Sequence, residues 1–484
     1  MKRIGVTLAA LLLASCAVGP NYKRPGASMP AEFKEAAGWK ISEPRDDAPR
    51  GPWWTIFGDP LLNDLAAQVQ ASNQNIRAFE AAYRQATAAV QQSRSALFPT
   101  LNASGSVTRS ERGTGAASTV ASKGTVVTNT ARPVTSYSVS GGASWDIDLW
   151  GRIRRQLEGS NASAQASAAD LANATLSAQA QLVTAYFEIR VQDELRRLLD
   201  QTAEGFAESY KIAQNKYNQG VVSKADLAQA ETQLRNTQAQ AVSARSQRDQ
   251  LEHAIAVLIG KAPADFSLET VDFNVLAPDI PVGVPSTLLE RRPDVAAAER
   301  RVKSANAQIG VAIAAYFPDL TLTGNFGYSS SSLDGLFNAS NRFWSFGPQA
   351  AMNLLDFGAK GAQVTRARAA YDQEVASYRQ TVLIALQQVE DQLTAVSALA
   401  EQAAIQSQAV DAARDAQRIA RNQYRAGTTD FTAVATTQAS ALSSEQSALT
   451  IRRNQLTAAV SLIQALGGGW TGQMTDIKTE RPPA

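Results

Sequence analysis

Few side chains in this chain could do chemistry. Its 484 residues include one Cys, Cys16, and one His, His253. A metal site built from His and Cys, a Cys-His nucleophile pair or a disulfide framework within one chain needs at least two such residues, so all three are excluded. His253 lies in a helical stretch with no nearby Ser or Cys to activate, and it reads as structural. The formal net charge is +2, from 46 Lys and Arg against 44 Asp and Glu, which argues against a nucleic-acid partner. No catalytic residue, metal site or diffusible cofactor is expected, and the chain does not read as an enzyme.

The thiol has a use at the start of the chain. Lys2 and Arg3 precede an apolar run, Ile4 to Ala14, too short to span a bilayer and shaped like a secretory signal. It ends in Leu13-Ala14-Ser15-Cys16, which resembles the bacterial lipoprotein cleavage box, where Cys becomes the lipidated first residue. The resemblance implies a signal peptide over 1–15 and a diacylglycerol and N-acyl lipid on Cys16. Ala17, where an Asp would suggest inner-membrane retention, implies sorting to the outer membrane. Several acyl chains give an anchor that one would not. Residues 16–60, rich in Pro and polar side chains, read as an extended acylated segment.

The elements behind this leader are written twice. Phe98-Pro99 and Gly105 recur 219 residues on, as Phe317-Pro318 and Gly324. Gly151, Tyr217, Gly220 and Gly260 recur 207 residues on, as Gly358, Tyr424, Gly427 and Gly467. The 12-residue difference falls between Gly105 and Gly151, and Glu111 to Ala131, poor in apolar residues, reads as an exposed loop that carries it. Repeat 1 is placed over 61–262, with a β-hairpin at 99–150 and a tip near 220. A linker covers 263–293. Repeat 2 covers 294–470, with a hairpin at 318–357 and a tip near 427, and 471–484 form a C-terminal tail.

Each hairpin alternates with period two. From Thr135 to Trp150, Tyr137, Val139, Ala143, Trp145, Ile147 and Leu149 take one face, while Ser136, Ser138, Ser140, Ser144, Asp146 and Asp148 take the other. The runs from Leu101, Leu320 and Trp344 repeat the pattern. Strands of about 10 residues, apolar on one side and hydroxylic on the other, suit a barrel with lipid outside and water inside. Tyr137, Trp145, Trp150, Phe343 and Trp344 could form its aromatic girdle. A soluble β-sandwich is the alternative. Four strands cannot close a barrel in lipid, whereas a cyclic trimer would supply 12.

The rest reads as helix. No Pro lies between Pro133 and Pro263 or between Pro348 and Pro482, leaving 129 and 133 residues without the strongest helix breaker. Gly151 to Gly220 and Gly358 to Gly427 each span 69 residues, on the order of 100 Å of continuous helix. The returning segments, Gly220 to Gly260 and Gly427 to Gly467, span 40 each, and shorter helices at Ile76 to Leu97 and Asp294 to Tyr316 precede the hairpins. Ala, Gln, Ser and Arg dominate, as in Ala178-Gln179-Ala180-Gln181, so narrow apolar seams with two wet faces are expected. That suits the wall of a hollow cylinder; a coiled-coil stalk is the alternative.

These elements resemble the outer membrane factor family, the TolC-like channels of tripartite efflux systems, and within it the lipoprotein NodT-type branch that serves RND pumps. The resemblance covers essentially the whole mature chain. It rests on Gly19-Pro20-Asn21-Tyr22, Trp53-Trp54, Phe57-Gly58-Asp59-Pro60-Leu61, Asp146-Ile147-Asp148-Leu149-Trp150-Gly151-Arg152, Leu289-Glu290-Arg291-Arg292-Pro293-Asp294 and Ala465-Leu466-Gly467-Gly468-Gly469-Trp470. It implies a mixed α and β membrane protein. Four strands per chain would form a trimeric 12-stranded transmembrane β-barrel, continuous with a long periplasmic α-helical barrel. The homotrimer would work with a periplasmic adaptor and an inner-membrane RND-type transporter as a passive duct for drugs or small solutes. A duct for type I protein secretion or metal-ion efflux, and an envelope stalk without a pore, are the other readings.

The resemblance also assigns roles. Gly220, Val221, Gly427 and Thr428 fall at adaptor-docking tips, although a Gly there also simply permits a positive φ at a helix end. Asp226 falls where a gate carboxylate is found, and Tyr424, with Tyr217 as repeat mate, where an aromatic latches the closed state. Thr436 stands where relatives often have Asp, so the second-repeat carboxylate is missing or supplied by Asp430. Asp146 and Asp148 are candidates for the barrel lumen, with capping of the following helix the equal alternative for Asp148.

Overall fold

The structure is a computed structural model and describes residues 17–27, 30, 33–36, 52–111, 121–122, 125–126, 133–271, 273, 278 and 292–469. Cys16, the signal peptide and the C-terminal tail lie outside the described residues. The elements are α1 (Pro60–Ser72), α2 (Gln74–Ser95), β1 (Thr100–Ser110), β2 (Ala121–Ser122), β3 (Thr125–Val126), β4 (Val134–Asp146), α3 (Arg152–Asn218), α4 (Lys224–Leu258), α5 (Pro293–Ala314), β5 (Asp319–Ser330), β6 (Arg342–Ala351), α6 (Ala359–Ala426) and α7 (Phe431–Ala465). The proline-free stretches thus become helices of 67 and 35 residues in the first repeat and 68 and 35 in the second.

The chain divides into two compact units. One comprises Gln85–Ala164 and Arg300–Val375 with the N-terminal stretch to Arg24. It holds an antiparallel sheet in the order β1-β4-β5-β6. The alternation sorts the faces: Val107 lies opposite Tyr137, while Ser106 and Ser104 face Ser138 and Ser140. Those hydroxyls bond in pairs, Ser104 to Ser140 at 3.0 Å and Ser106 to Ser138 at 2.9 Å. Two strands stop short of their alternating runs, β4 at Asp146 and β6 at Ala351, whereas β1 and β5 extend past theirs to 11 and 12 residues. β4 ends at Asp146 because the chain turns there into the start of α3, with Trp150 stacked on Phe317. The expected loop between β1 and β4 also contains a two-residue ladder, β2 with β3.

In the same unit the N-terminal segment is strapped to the start of α3. Val18 N–H donates to the Trp150 carbonyl at 3.0 Å. Arg155, buried, donates to the carbonyls of Val18 and Gly19, at 3.2 Å each, and to Asn21 Oδ1 at 2.9 Å. Gly19 lies so close to Gly310 of α5 that a Cβ on it would sit 2.5 Å from the Gly310 Cα. Only a residue without a side chain fits there.

The second unit comprises Pro25–Arg84, Gln165–Glu299 and Ala376–Ala484. The segment before Pro60 is not wholly extended, since Trp53–Phe57 form a 3₁₀ turn that buries Trp54 and Phe57. Asp59 then caps α1, accepting from Leu61 N at 2.9 Å and Leu62 N at 3.2 Å, with Pro60 in the first turn. Leu62, Leu65 and Val69 pack with Leu182, Tyr186, Phe187 and Ile189 of α3 and with Leu456 and Val460 of α7. Each such burial contributes roughly 1.5–3 kcal/mol. The expectation of narrow seams with two wet faces fails in the middle of α3, which is buried on most sides between Leu182 and Val191. It holds better for α6, which is mostly exposed.

A chain of charges threads this core. Tyr186 donates to Asp59, Arg190 donates to the Glu269 carbonyl at 2.6 Å, and Asp193 accepts from Arg248 Nε at 2.7 Å, while Arg248 also reaches Glu252 and the Leu268 carbonyl. Burial and the Asp59 bond push the Tyr186 hydroxyl up to about 12.

Candidate functional site

The residues singled out for docking and gating collect where the long helices turn. Both turns are built alike. At the end of α3, Gly220 adopts φ 74°, its N–H donates to the Tyr217 carbonyl at 2.9 Å, and Val221 N–H donates to the Lys216 carbonyl at 2.9 Å. At the end of α6, Gly427 adopts φ 77°, with Gly427 N–H bonded to Tyr424 and Thr428 N–H to Gln423, at 3.2 and 3.0 Å. This pair of bonds satisfies the last carbonyls of a helix and needs a left-handed residue. A Cβ on either glycine would meet nothing within 4 Å, so backbone conformation alone selects glycine. Val221 is 66 % exposed and Thr428 is exposed too, so the turns present free surface.

The helices that leave the turns start on capping acids. Asp226 and Ser223 form a reciprocal box at the start of α4: Asp226 Oδ2 accepts from Ser223 N at 3.0 Å and from Ser223 Oγ at 2.9 Å, and Asp226 N–H donates to Ser223 Oγ at 3.2 Å. Asp430 caps α7 by accepting from Ala433 N at 3.0 Å. Thr436 turns its hydroxyl back onto the Thr432 carbonyl at 2.8 Å. The first duty of both acids is therefore to a helix end, where the dipole also favours them.

Tyr217 and Tyr424, mates by sequence, have different surroundings. Tyr217 is 39 % exposed. Tyr424 is buried in a small apolar knot with Ala213 of α3, Ala230 of α4, and Phe431, Val434 and Ala435 of α7. It meets Phe431 edge-on at 5.8 Å. Its hydroxyl is buried and has no hydrogen-bond partner among the described residues. Burial, and after it the charge on Asp226, push that hydroxyl above its ordinary pKa. Lys216 Nζ lies 3.9 Å above the ring and donates to the Tyr424 carbonyl at 3.3 Å.

One clasp was not foreseen. Glu208 of α3 accepts from Arg421 and, at 2.7 Å, from Arg425, both on α6. The Arg425 hydrogen bond, and next the Arg421 charge, hold the Glu208 carboxyl below its usual value. The partners are 213 and 217 residues apart, and no local spacing signals such a pair.

The barrel acids separate. Asp146 accepts from the Thr321 hydroxyl at 3.0 Å and stands 3.8 Å from Arg152 on an open face. Asp148 is not a lumen-facing carboxylate: it accepts from Ile153 N at 3.1 Å and Arg154 N at 2.9 Å, capping α3 with its side chain 10 % exposed. Unpaired helix N–H groups outcompete the lumen for it.

Among the described residues no helix is long and apolar enough to cross a membrane. The alternating sheet is what suits lipid, and two hairpins feeding long helix pairs define an outer-membrane channel subunit. The chain belongs to the outer membrane efflux protein family, which it matches over residues 65–261 and 284–468. It is 30 % identical over 495 residues to the probable efflux pump outer membrane protein TtgC of Pseudomonas putida, covering 99 % of each chain. With the cation efflux system protein CusC of Escherichia coli it shares 25 % over 462 residues, 95 % of this chain and 97 % of that one. The solved outer-membrane channel OprN matches with a TM-score of 0.85 and 30 % identity over 94 % of this chain and all of that one. The fold class is therefore that of the family's trimeric channels, with a β-barrel share of four strands and a helical barrel. The chain is an outer-membrane efflux channel protein.

Proposed function

We propose that the chain forms the exit duct of a tripartite pump, a homotrimer that takes small organic solutes or drugs from an RND-type transporter through a periplasmic adaptor. The observation that carries this reading is the matched pair of glycine turns. They give adaptor hairpins two similar exposed seats per chain, at Gly220-Val221 and Gly427-Thr428. The duct does no chemistry on its cargo, and it is held in the outer membrane by its strands and by lipid on Cys16. Its gate lies at the tips, where Tyr424 is packed between the two repeats and Asp226 acts on it. Asp430, Tyr217 and Thr436 line the same end.

Planar-bilayer recording of the purified full chain tests the duct. Stepwise currents are expected, whereas a sealed envelope stalk passes none. Radiolabelled palmitate should enter the chain and vanish with Cys16→Ser; label retained in that variant would refute the anchor.

A further inference from the structure

The charges on the long strands are sorted by face and by end. β1, β4, β5 and β6 hold four charged residues, Arg109, Asp146, Asp319 and Arg342. Asp146 lies opposite Thr321 and Asp319 opposite Ala351, on the hydroxylic face and at the end where the strands meet the helices. Arg109 follows Val107 by two residues and Arg342 precedes Trp344 by two, so both arginines stand on the apolar face, at the far end. The duplication sets them level. Arg109 lies opposite Thr135 and Tyr328 opposite Arg342, and the offsets of 219 and 207 turn the first pair into the second. Each hairpin thus places one arginine in the same rung, the first hairpin on its first strand and the second on its second.

Among the described residues neither guanidinium forms a hydrogen bond or pairs with an acid, Glu111 and Asp334 included. What surrounds Arg342 is aromatic. Tyr328, its partner across the rung, meets Phe326 edge-on at 5.8 Å and Phe337 edge-on at 5.5 Å. Phe337 comes from the turn between β5 and β6, which bonds to itself: Leu336 N–H donates to the Leu333 carbonyl at 3.2 Å, Asn338 N–H to the Gly335 carbonyl at 3.1 Å, and Asn341 Nδ2 to the same carbonyl at 2.6 Å. This closed turn buries Leu336 yet leaves Phe337 68 % exposed, and Trp344 is 71 % exposed. Open rings beside an unpaired cation offer acyl chains an apolar wall and an anion a counter-charge. On a lipid face an arginine is costly at the midplane and tolerated at the interface, which is where this rung falls. The chain that joins β1 to β4 adds Arg112, Lys123 and Arg132 to Glu111, so basic residues outnumber acids at this end.

We propose that Arg109 and Arg342 are binding points for the headgroup phosphates of an anionic lipid in the leaflet at the loop end of the sheet. The planar fork of each guanidinium takes a phosphate by two parallel hydrogen bonds. The acyl chains of the lipid held at Arg342 run along Phe337 and Trp344, and those of the lipid held at Arg109 along Val107. A soluble phosphate would make no use of the apolar wall, and a zwitterionic headgroup brings its own cation to the phosphate, so a net-negative lipid is the occupant that answers both features. The inference rests on the placement of the strands in the outer membrane and adds to it a lipid site at a stated depth.

Lipid titration of the full chain, purified in a non-ionic detergent and followed by native mass spectrometry, tests it. The probes are diphosphoryl lipid A, the same lipid freed of its phosphates, and phosphatidylcholine. The native chain should bind diphosphoryl lipid A at least about tenfold more tightly than either of the others, and raised salt should weaken that preference. Equal affinity for the phosphate-free lipid or for phosphatidylcholine overturns the proposal without recourse to any variant. The double variant Arg109→Gln with Arg342→Gln should lose the preference while binding phosphate-free lipid A as the native chain does. Arg109→Lys with Arg342→Lys, which keeps the charge and lacks the fork, should fall between. A preference undiminished in the glutamine variant places the phosphates elsewhere. Inorganic phosphate added at millimolar concentration should displace little lipid A; displacement at an equal concentration would make this a site for the soluble anion and overturn the lipid occupant. A native chain that enters no bilayer at all would instead refute the placement of the strands.

Discussion

Lys216 holds Tyr424 twice, with its ammonium 3.9 Å above the ring and 3.3 Å from the tyrosine's own carbonyl oxygen. One contact fixes the side chain and the other the last turn of α6, so α3 grips the end of its counterpart from the second repeat. The tyrosine hydroxyl takes no part.

Removal of that hydroxyl separates packing from latching. A buried hydroxyl without a partner costs free energy, so Tyr424→Phe is expected to leave thermal stability unchanged or raise it by up to about 1 kcal/mol. Tyr424→Ala should cost about 3 kcal/mol by emptying the knot. Both are read by thermal unfolding, with bilayer conductance beside them. If Tyr424→Phe conducts like Tyr424→Ala, the hydroxyl works as a latch in a state other than this one.

Asp226 serves as cap and as charge, and two substitutions divide the roles. Ser223→Ala and Asp226→Ala each break the capping box and should lower tip stability alike, by about 1 kcal/mol. Only Asp226→Ala should reduce cation selectivity, since it alone removes a carboxylate from the mouth. Reversal potentials in a salt gradient measure this. Equal selectivity in the two variants would leave Asp226 as a cap and nothing more.

The Glu208 clasp is expected to loosen in acid. Its folded pKa lies below the ordinary 4.5, so its contribution is complete above that value and is lost as pH falls through the folded one. Conductance should rise only as pH is lowered below the ordinary 4.5, while Glu208→Gln should be raised already at neutral pH and flat in acid. The same acid-induced rise in Glu208→Gln would be evidence against the clasp.

The repeated glycines are not equal. A Cβ at Gly260 would lie 2.3 Å from the Ser72 carbonyl oxygen, whereas one at Gly427 meets nothing. Gly260→Ala should therefore cost about 3 kcal/mol, from overpacking and left-handed backbone together, and Gly427→Ala about 1 kcal/mol. Melting of the two variants side by side checks it; equal losses would contradict it.

Much of the fold was legible because long helices and alternating strands write their period into the sequence. Proline-free spans became α3, α4, α6 and α7, and the 207-residue offset reappeared as matched turns at Gly220 and Gly427. The α1 helix was not foreseen, because Pro60 reads as the end of an extended segment when it occupies a first helical turn. Asp193 and Arg248 were passed over since charges at helical spacing resemble a solvated face, and only tertiary packing buries them against α3 and α4. Tyr217 and Tyr424 show the limit of repeat logic. Identical residues at equivalent turns diverge once one of them is covered by Phe431 and Lys216.

The strap at the start of α3 sets a length. A Cβ on Gly151 would lie 2.7 Å from the Ala17 Cα, and residue 16 is one peptide, about 3.8 Å, further along. A lipid on Cys16, as proposed, would have almost no tether. Its glycerol would act as a depth stop, fixing how far the strands sink into the bilayer before the helices emerge.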